Sequence, residues 1–135
     1  MRTRKFPGKY ESLEKIRRFV VQTAEDAGLD QSAVYAVELA VDEACCNIID
    51  HAYGEEGVGD IICSIADEPS VIRIVLEDKG LPFDPSKVPA PQLNLPLEKL
   101  KMRGVGFFLM QKLMDEIYYQ SSPTSGNVMT LVKHK

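Results

Sequence analysis

Apolar residues recur at spacings of three and four from about Ser12 to Ala27, where Leu13, Ile16, Val20 and Thr23 or Ala24 fall on one side. That period predicts an amphipathic helix. Gly28 supplies its stop, and Asp30 or Ser32 an N-cap for a second helix from Ser32 to about His51, with Val34, Val37, Val41, Ala44 and Ile48 on one stripe. Three glycines between Tyr53 and Gly59 then break the pattern. From Asp60 to Ala66 and from Val71 to Leu76 the period falls to two and β-branched residues dominate, so these segments read as a hairpin across Asp67-Glu68-Pro69-Ser70. The stretch from Pro85 to about Arg103 carries four prolines and little periodicity. A loop of that length reads as a functional lid or a disordered segment. Arg103-Gly104-Val105-Gly106 opens a third helix, Phe107 to about Glu116, and two strands, Ile117 to Ser121 and Val128 to Lys133, close the chain. A short first strand is expected near Arg4 to Phe6.

The order helix, helix, strand, strand, lid, helix, strand, strand predicts an α+β two-layer sandwich, with about three helices covering one face of a mixed, mostly antiparallel sheet. Strict βαβ alternation is absent, which disfavours a parallel doubly wound fold. With 135 residues, the whole chain, 1–135, is expected to form a single domain with a core that needs no disulfide or structural metal. The 27% charged fraction and the short apolar runs exclude a transmembrane protein, and Met1-Arg2-Thr3-Arg4-Lys5-Phe6-Pro7 lacks the apolar segment of a secretory signal. A cytoplasmic location is expected. Cys45 and Cys46 are adjacent, the third cysteine is distant, and no zinc-type spacing is present, so all three read as reduced, small packing residues. A net charge of -4 argues weakly against a direct nucleic-acid partner.

Three places could carry chemistry. Glu43 and Asn47 lie four apart on the second helix and His51 continues the series, so the three project from roughly one side. A carboxylate there can accept a proton from an attacking hydroxyl, and an amide oxygen can ligate a hard cation such as Mg²⁺. Asp78-Lys79-Gly80 follows a strand. An Asp at that exit can accept hydrogen bonds from an exocyclic amine, and Gly80 lets a planar ring approach the backbone. Gly104-Val105-Gly106 at a helix start can direct backbone N–H groups at a phosphate. It is neither a P-loop nor a dinucleotide fingerprint, since no Lys-Ser or Lys-Thr pair and no third glycine follows. Taken singly, each also reads as an ordinary polar position, a turn or a helix entry.

Their combination and order resemble the nucleotide site of the gyrase, histidine-kinase and MutL-type ATPase superfamily. The resemblance is closest to its small bacterial branch, the anti-sigma-factor serine/threonine kinases. It runs from Phe6-Pro7-Gly8 through Val41 to Tyr53, Glu77 to Pro85 and Arg103 to Met110, and ends in Gly126-Asn127-Val128-Met129-Thr130. It implies ATP and Mg²⁺ as cofactors, Glu43 as general base and Asn47 as Mg²⁺ ligand. Asp78 would hold the adenine amino group with Gly80 beneath the ring. Arg103, Gly104, Val105 and Gly106 would line the triphosphate, and Thr130 would lie near the adenine edge. The chain departs from the family pattern in having Pro82 at the second glycine of Asp-x-Gly-x-Gly, and Asn127 rather than Thr directly after Gly126.

The implied function is that of an ATP-dependent anti-sigma regulatory factor. It would bind a sigma factor and phosphorylate a serine of an anti-sigma antagonist protein, and homodimerisation is compatible with the resemblance. A sensor and an internal phosphoacceptor segment are not expected within the chain. The alternative from another class is a non-catalytic, ATP- or ADP-gated binding module controlling a transcription regulator. A third reading is an α+β domain without nucleotide.

Overall fold

The computed structural model describes residues 1–83 and 102–135. Strand β1 (Arg2–Pro7) leads through a 3-10 turn (Tyr10–Ser12) into helix α1 (Leu13–Asp26), followed by α2 (Gln31–Asn47). The Asp30 carboxylate accepts from the Ala33 N–H at 2.8 Å, which settles the N-cap on Asp30 and starts α2 one residue before Ser32. Helix α2 does not continue to His51 in α geometry. From Ile48 to Tyr53 it widens into a π-helical turn that ends at Gly54.

Strands β2 (Asp60–Asp67) and β3 (Val71–Asp78) form the expected hairpin, and β3 runs two residues beyond Leu76 so that Asp78 closes it. Helix α3 (Met102–Leu113) precedes β4 (Glu116–Ser122) and β5 (Gly126–His134). Arg103, Gly104, Val105 and Gly106 therefore lie inside the first turns of α3 rather than ahead of it, and Glu116 belongs to β4. The proline-rich stretch after Pro85 falls, up to residue 101, outside the described residues.

The five strands are ordered β1-β2-β3-β5-β4, and every described pairing is antiparallel, where the sequence pattern allowed a mixed sheet. Alternation fixes the covered face. Ile61, Cys63 and Ile65 of β2, Ile72, Ile74 and Leu76 of β3, and Met129 and Leu131 of β5 are buried against Ile16 and Val20 of α1, Val37 and Val41 of α2 and Met110 of α3. Each fully buried aliphatic side chain of this kind contributes about 1.5–3 kcal/mol. Asp78 continues the inward series of β3, and the β3–β5 register sets it opposite Asn127. A carboxylate and a carboxamide thus end the apolar rows of two neighbouring strands, facing the helix layer at one edge of the core.

Candidate functional site

Asp78 and Asn127 are 5% and 3% exposed. Buried polar groups demand partners, and here they supply each other. Asp78 Oδ1 accepts from the Gly80 N–H at 2.9 Å and from Asn127 Nδ2 at 2.8 Å; Oδ2 takes part in neither bond. Burial pushes the Asp78 carboxyl above its ordinary value, opposed by these two hydrogen bonds and by the charge of Lys79. Asn127 Nδ2 also donates to the carbonyls of Gly80 at 3.2 Å and Leu81 at 3.0 Å, while its Oδ1 accepts from Ser121 at 2.9 Å and Tyr119 at 3.2 Å. The Tyr119 hydroxyl in turn accepts from the Phe83 N–H at 2.8 Å.

Asn47 reaches the same place from the helix layer. It is 7% exposed, and its Nδ2 is buried with no hydrogen-bond partner among the described residues. An unpaired buried amide costs about 1–3 kcal/mol, so a ligand that accepts from it recovers that cost. Asn47, Asp78 and Asn127 line one cavity with Ala44, Ala52, Phe83 and Met129; its volume is about 20 Å³. That is room for one water molecule. Phe83 forms one wall and stacks on His51, with ring centroids 4.1 Å apart and planes 15° from parallel.

Glu43 sits one turn before Asn47 on α2 and is half-buried. Burial first, then the neighbouring Asp42 and Asp50, raise its carboxyl above the usual range. Arg17 pairs with the neighbouring Asp42 at 2.7 Å. Asp50 accepts a hydrogen bond from the Tyr10 hydroxyl. His51 lies in the π turn that begins at Ile48, beyond the α-helical spacing that relates Glu43 to Asn47.

Gly80 is explained by the same turn. A Cβ there would lie 2.4 Å from the Ala52 carbonyl oxygen, and the next residue, Leu81, donates to that oxygen at 2.7 Å. The Asp78–Gly80 turn is thereby sewn to the end of the helix. Tyr53 adds a second stitch, donating to the Asp60 carbonyl at 2.6 Å and accepting from the Lys79 N–H at 3.0 Å.

The structure does not bring Thr130 to this site. Thr130 pairs with Val75 and Tyr118, and strand alternation turns it to the face opposite Asn127, Met129 and Leu131. The residue that β5 directs into the cavity is Asn127, in the place where the resembled family carries Thr after Gly. Its signal in the sequence was that adjacency to Gly126. Arg103, Gly104, Val105 and Gly106 occupy the first turns of α3; the first four backbone N–H groups of a helix have no intrahelical partner, a set that takes in Arg103 and Gly104 but stops short of Gly106. Among the described residues no group of three or more His, Cys, Asp or Glu is placed to hold a metal ion, and no helix is long and apolar enough to cross a membrane.

An antiparallel sheet under three helices, with Asn and Glu on one helix and Asp at a strand exit, defines an ATPase-type nucleotide domain. The family model of the histidine kinase-like ATPase domain matches residues 6–133, and the chain belongs to that family, with the serine-protein kinases as relatives. The serine-protein kinase RsbW of Bacillus cereus (strain B4264) is 34% identical over 117 residues, which span 84% of this chain and 72% of the relative. RsbW of Bacillus anthracis (strain CDC 684 / NRRL 3495) is 33% identical over the same shares. The crystal structure of the RsbU and RsbW domains of Rv1364c from Mycobacterium tuberculosis aligns with 98% of this chain at a TM-score of 0.64 and 14% identity, showing the same fold; this chain spans 32% of that one.

Proposed function

We propose that this protein is an anti-sigma regulatory kinase: it binds ATP, transfers the γ-phosphoryl group to a serine of an antagonist protein, and sequesters a sigma factor. The observation that carries the nucleotide part is the cavity where the unpaired Asn47 amide and the Asp78 carboxylate meet. Asp78 is suited to accept from the exocyclic amine of adenine. A purine is larger than the present cavity, so base entry requires Phe83 to swing aside.

Glu43 would accept the proton of the incoming serine hydroxyl. Its raised pKa makes it a better base than an exposed glutamate. Of the segment Arg103, Gly104, Val105 and Gly106, which the resemblance sets along the triphosphate, the unpartnered amides at the start of α3, those of Arg103 and Gly104 among them, would face the phosphates. The donor set fits Mg²⁺, which binds through one or two protein oxygens plus waters and substrate phosphates rather than a protein cage. Asn47 would hold it, and the ion would supply charge neutralisation on the β- and γ-phosphates. Residues 1–135 would act as one domain in the cytoplasm, with protein partners and no direct nucleic-acid or membrane contact; a homodimer is consistent with this reading.

The test is incubation with labelled ATP, Mg²⁺ and a candidate antagonist protein. Label on an antagonist serine, lost with Glu43→Gln, supports the kinase. Nucleotide binding without transfer to any antagonist would convert the reading to an ATP- or ADP-gated binding module.

A further inference from the structure

We propose that Asn127 sets the base preference of this site: it locks the Asp78 carboxylate so that one oxygen, Oδ2, is offered to a 6-aminopurine and a 6-oxopurine is rejected. The inference rests on the nucleotide reading above and adds to it a positioning residue.

The argument is one of hydrogen-bond capacity. A carboxylate oxygen has two acceptor sites, and the Gly80 N–H and the Asn127 amide fill both on Asp78 Oδ1. The Asn127 amide is itself saturated. Its nitrogen faces three acceptors, Asp78 Oδ1 and the carbonyls of Gly80 and Leu81, and its oxygen faces the hydroxyls of Ser121 and Tyr119. Turning the amide over would set its oxygen against all three acceptors, so only one orientation is stable. Asp78 is thus held at one oxygen, and the other accepts but cannot donate. An exocyclic amine satisfies it, whereas the O6 of hypoxanthine or guanine would leave two acceptors face to face in a buried place.

Without Asn127 the carboxylate is free to turn. It also loses one of the hydrogen bonds that favour its charged form, so it takes up a proton more readily and can then donate to an oxo group. The substitution therefore acts on the choice between bases as well as on affinity.

The experiment measures dissociation constants of ADP and inosine diphosphate by calorimetry at neutral pH for the full chain, for Asn127→Ala and for Ser121→Ala. The wild type is expected to prefer ADP. Asn127→Ala is expected to lower that preference about tenfold, the size of one lost hydrogen bond to a charged group. Asn127→Thr, which returns a donor toward Asp78, should restore part of it. If the wild type binds neither nucleotide, the nucleotide reading fails and this inference with it. If the wild type prefers ADP and Asn127→Ala keeps the same ratio, the inference alone is overturned. Should Asn127→Ala not fold, Ser121→Ala decides: a smaller fall in the ratio supports the lock, and an unchanged ratio overturns it.

Discussion

Asp78 and Asn127 stand opposite each other across the β3–β5 ladder and are joined side chain to side chain at 2.8 Å, both buried. The glycine before Asn127 makes this possible. Gly126 has φ +85°, and a Cβ on it would lie 2.2 Å from the Asp78 carbonyl oxygen. Gly126→Ala is expected to cost about 2–4 kcal/mol, combining backbone strain with a clash against main chain that cannot give way. Urea unfolding measures it; a midpoint within error of the wild type would show that the two strands can separate here at little cost.

Glu43→Gln is expected to abolish most phosphoryl transfer, about 10²- to 10⁴-fold for a lost base, while leaving nucleotide affinity near that of the wild type. Single-turnover transfer assays beside calorimetry separate the two effects.

The same substitution should make the fold slightly more stable at neutral pH. The folded-state pKa of Glu43 is raised, so its contribution to stability is fully present below the unfolded value and is lost as pH rises through the folded one. Ionising this half-buried carboxylate costs desolvation and repulsion from Asp42 and Asp50, a cost the glutamine variant lacks. The gain should be below about 1 kcal/mol because solvent screens a half-buried group, and it should vanish below about pH 4. Thermal melts of both proteins from pH 4 to 8 provide the check. In transfer assays the rate should fall as acid protonates this base, beginning at a higher pH than for an exposed glutamate.

Asn47→Leu replaces a buried amide whose nitrogen has no partner among the described residues by an apolar side chain of similar size. Stability is expected to rise by about 1–2 kcal/mol and nucleotide binding to be lost. Denaturant titration and calorimetry on the same sample report the two changes, and a variant that binds ATP normally would remove Asn47 from the site.

Thiol chemistry should be slow. Cys45 and Cys63 are buried, and the half-buried Cys46 has its thiol pushed up to about 11 by burial and by Asp42, Glu43 and Asp50, with Arg17 opposing. At pH 8 only about one Cys46 side chain in a thousand is then thiolate. A disulfide-exchange reagent should label the folded protein far more slowly than the urea-unfolded chain, with the rate climbing toward pH 11. Rapid labelling at pH 8 would contradict the packing around α2.

The periodic segments were legible because one face of each is buried: Ile16 and Val20 at helical spacing, and Ile72, Ile74 and Leu76 at strand spacing, are all in the core. Asn47 and Asp78 were legible as neighbours only through the resemblance. What brings them together is the packing of α2 on the sheet, which no local pattern encodes. Thr130 was misplaced because Val128, Met129, Leu131 and Val132 are all apolar, so the hydrophobic pattern does not reveal which parity of β5 faces inward. The register shows that Thr130 shares the parity of Gly126 and that Asn127 has the other. The change from α to π geometry at Ile48 was equally hidden. The stretch is met by Gly80 and Leu81, some thirty residues later in the chain, at the carbonyl of Ala52, a contact that no local pattern announces.

A π turn is geometrically a helix with one supernumerary residue. Removing a single residue between Ile48 and Tyr53 would let the helix close its ordinary ladder, but every side chain beyond the deletion would swing round the axis by about one residue's rotation. The Ala52 carbonyl and the Tyr53 hydroxyl would then miss the Asp78–Gly80 turn, and the strand exit would lose its mooring on the helix layer. Length in this six-residue stretch is therefore constrained more tightly than composition: a relative with a different side chain here can keep the site, whereas a relative one residue shorter must rebuild it.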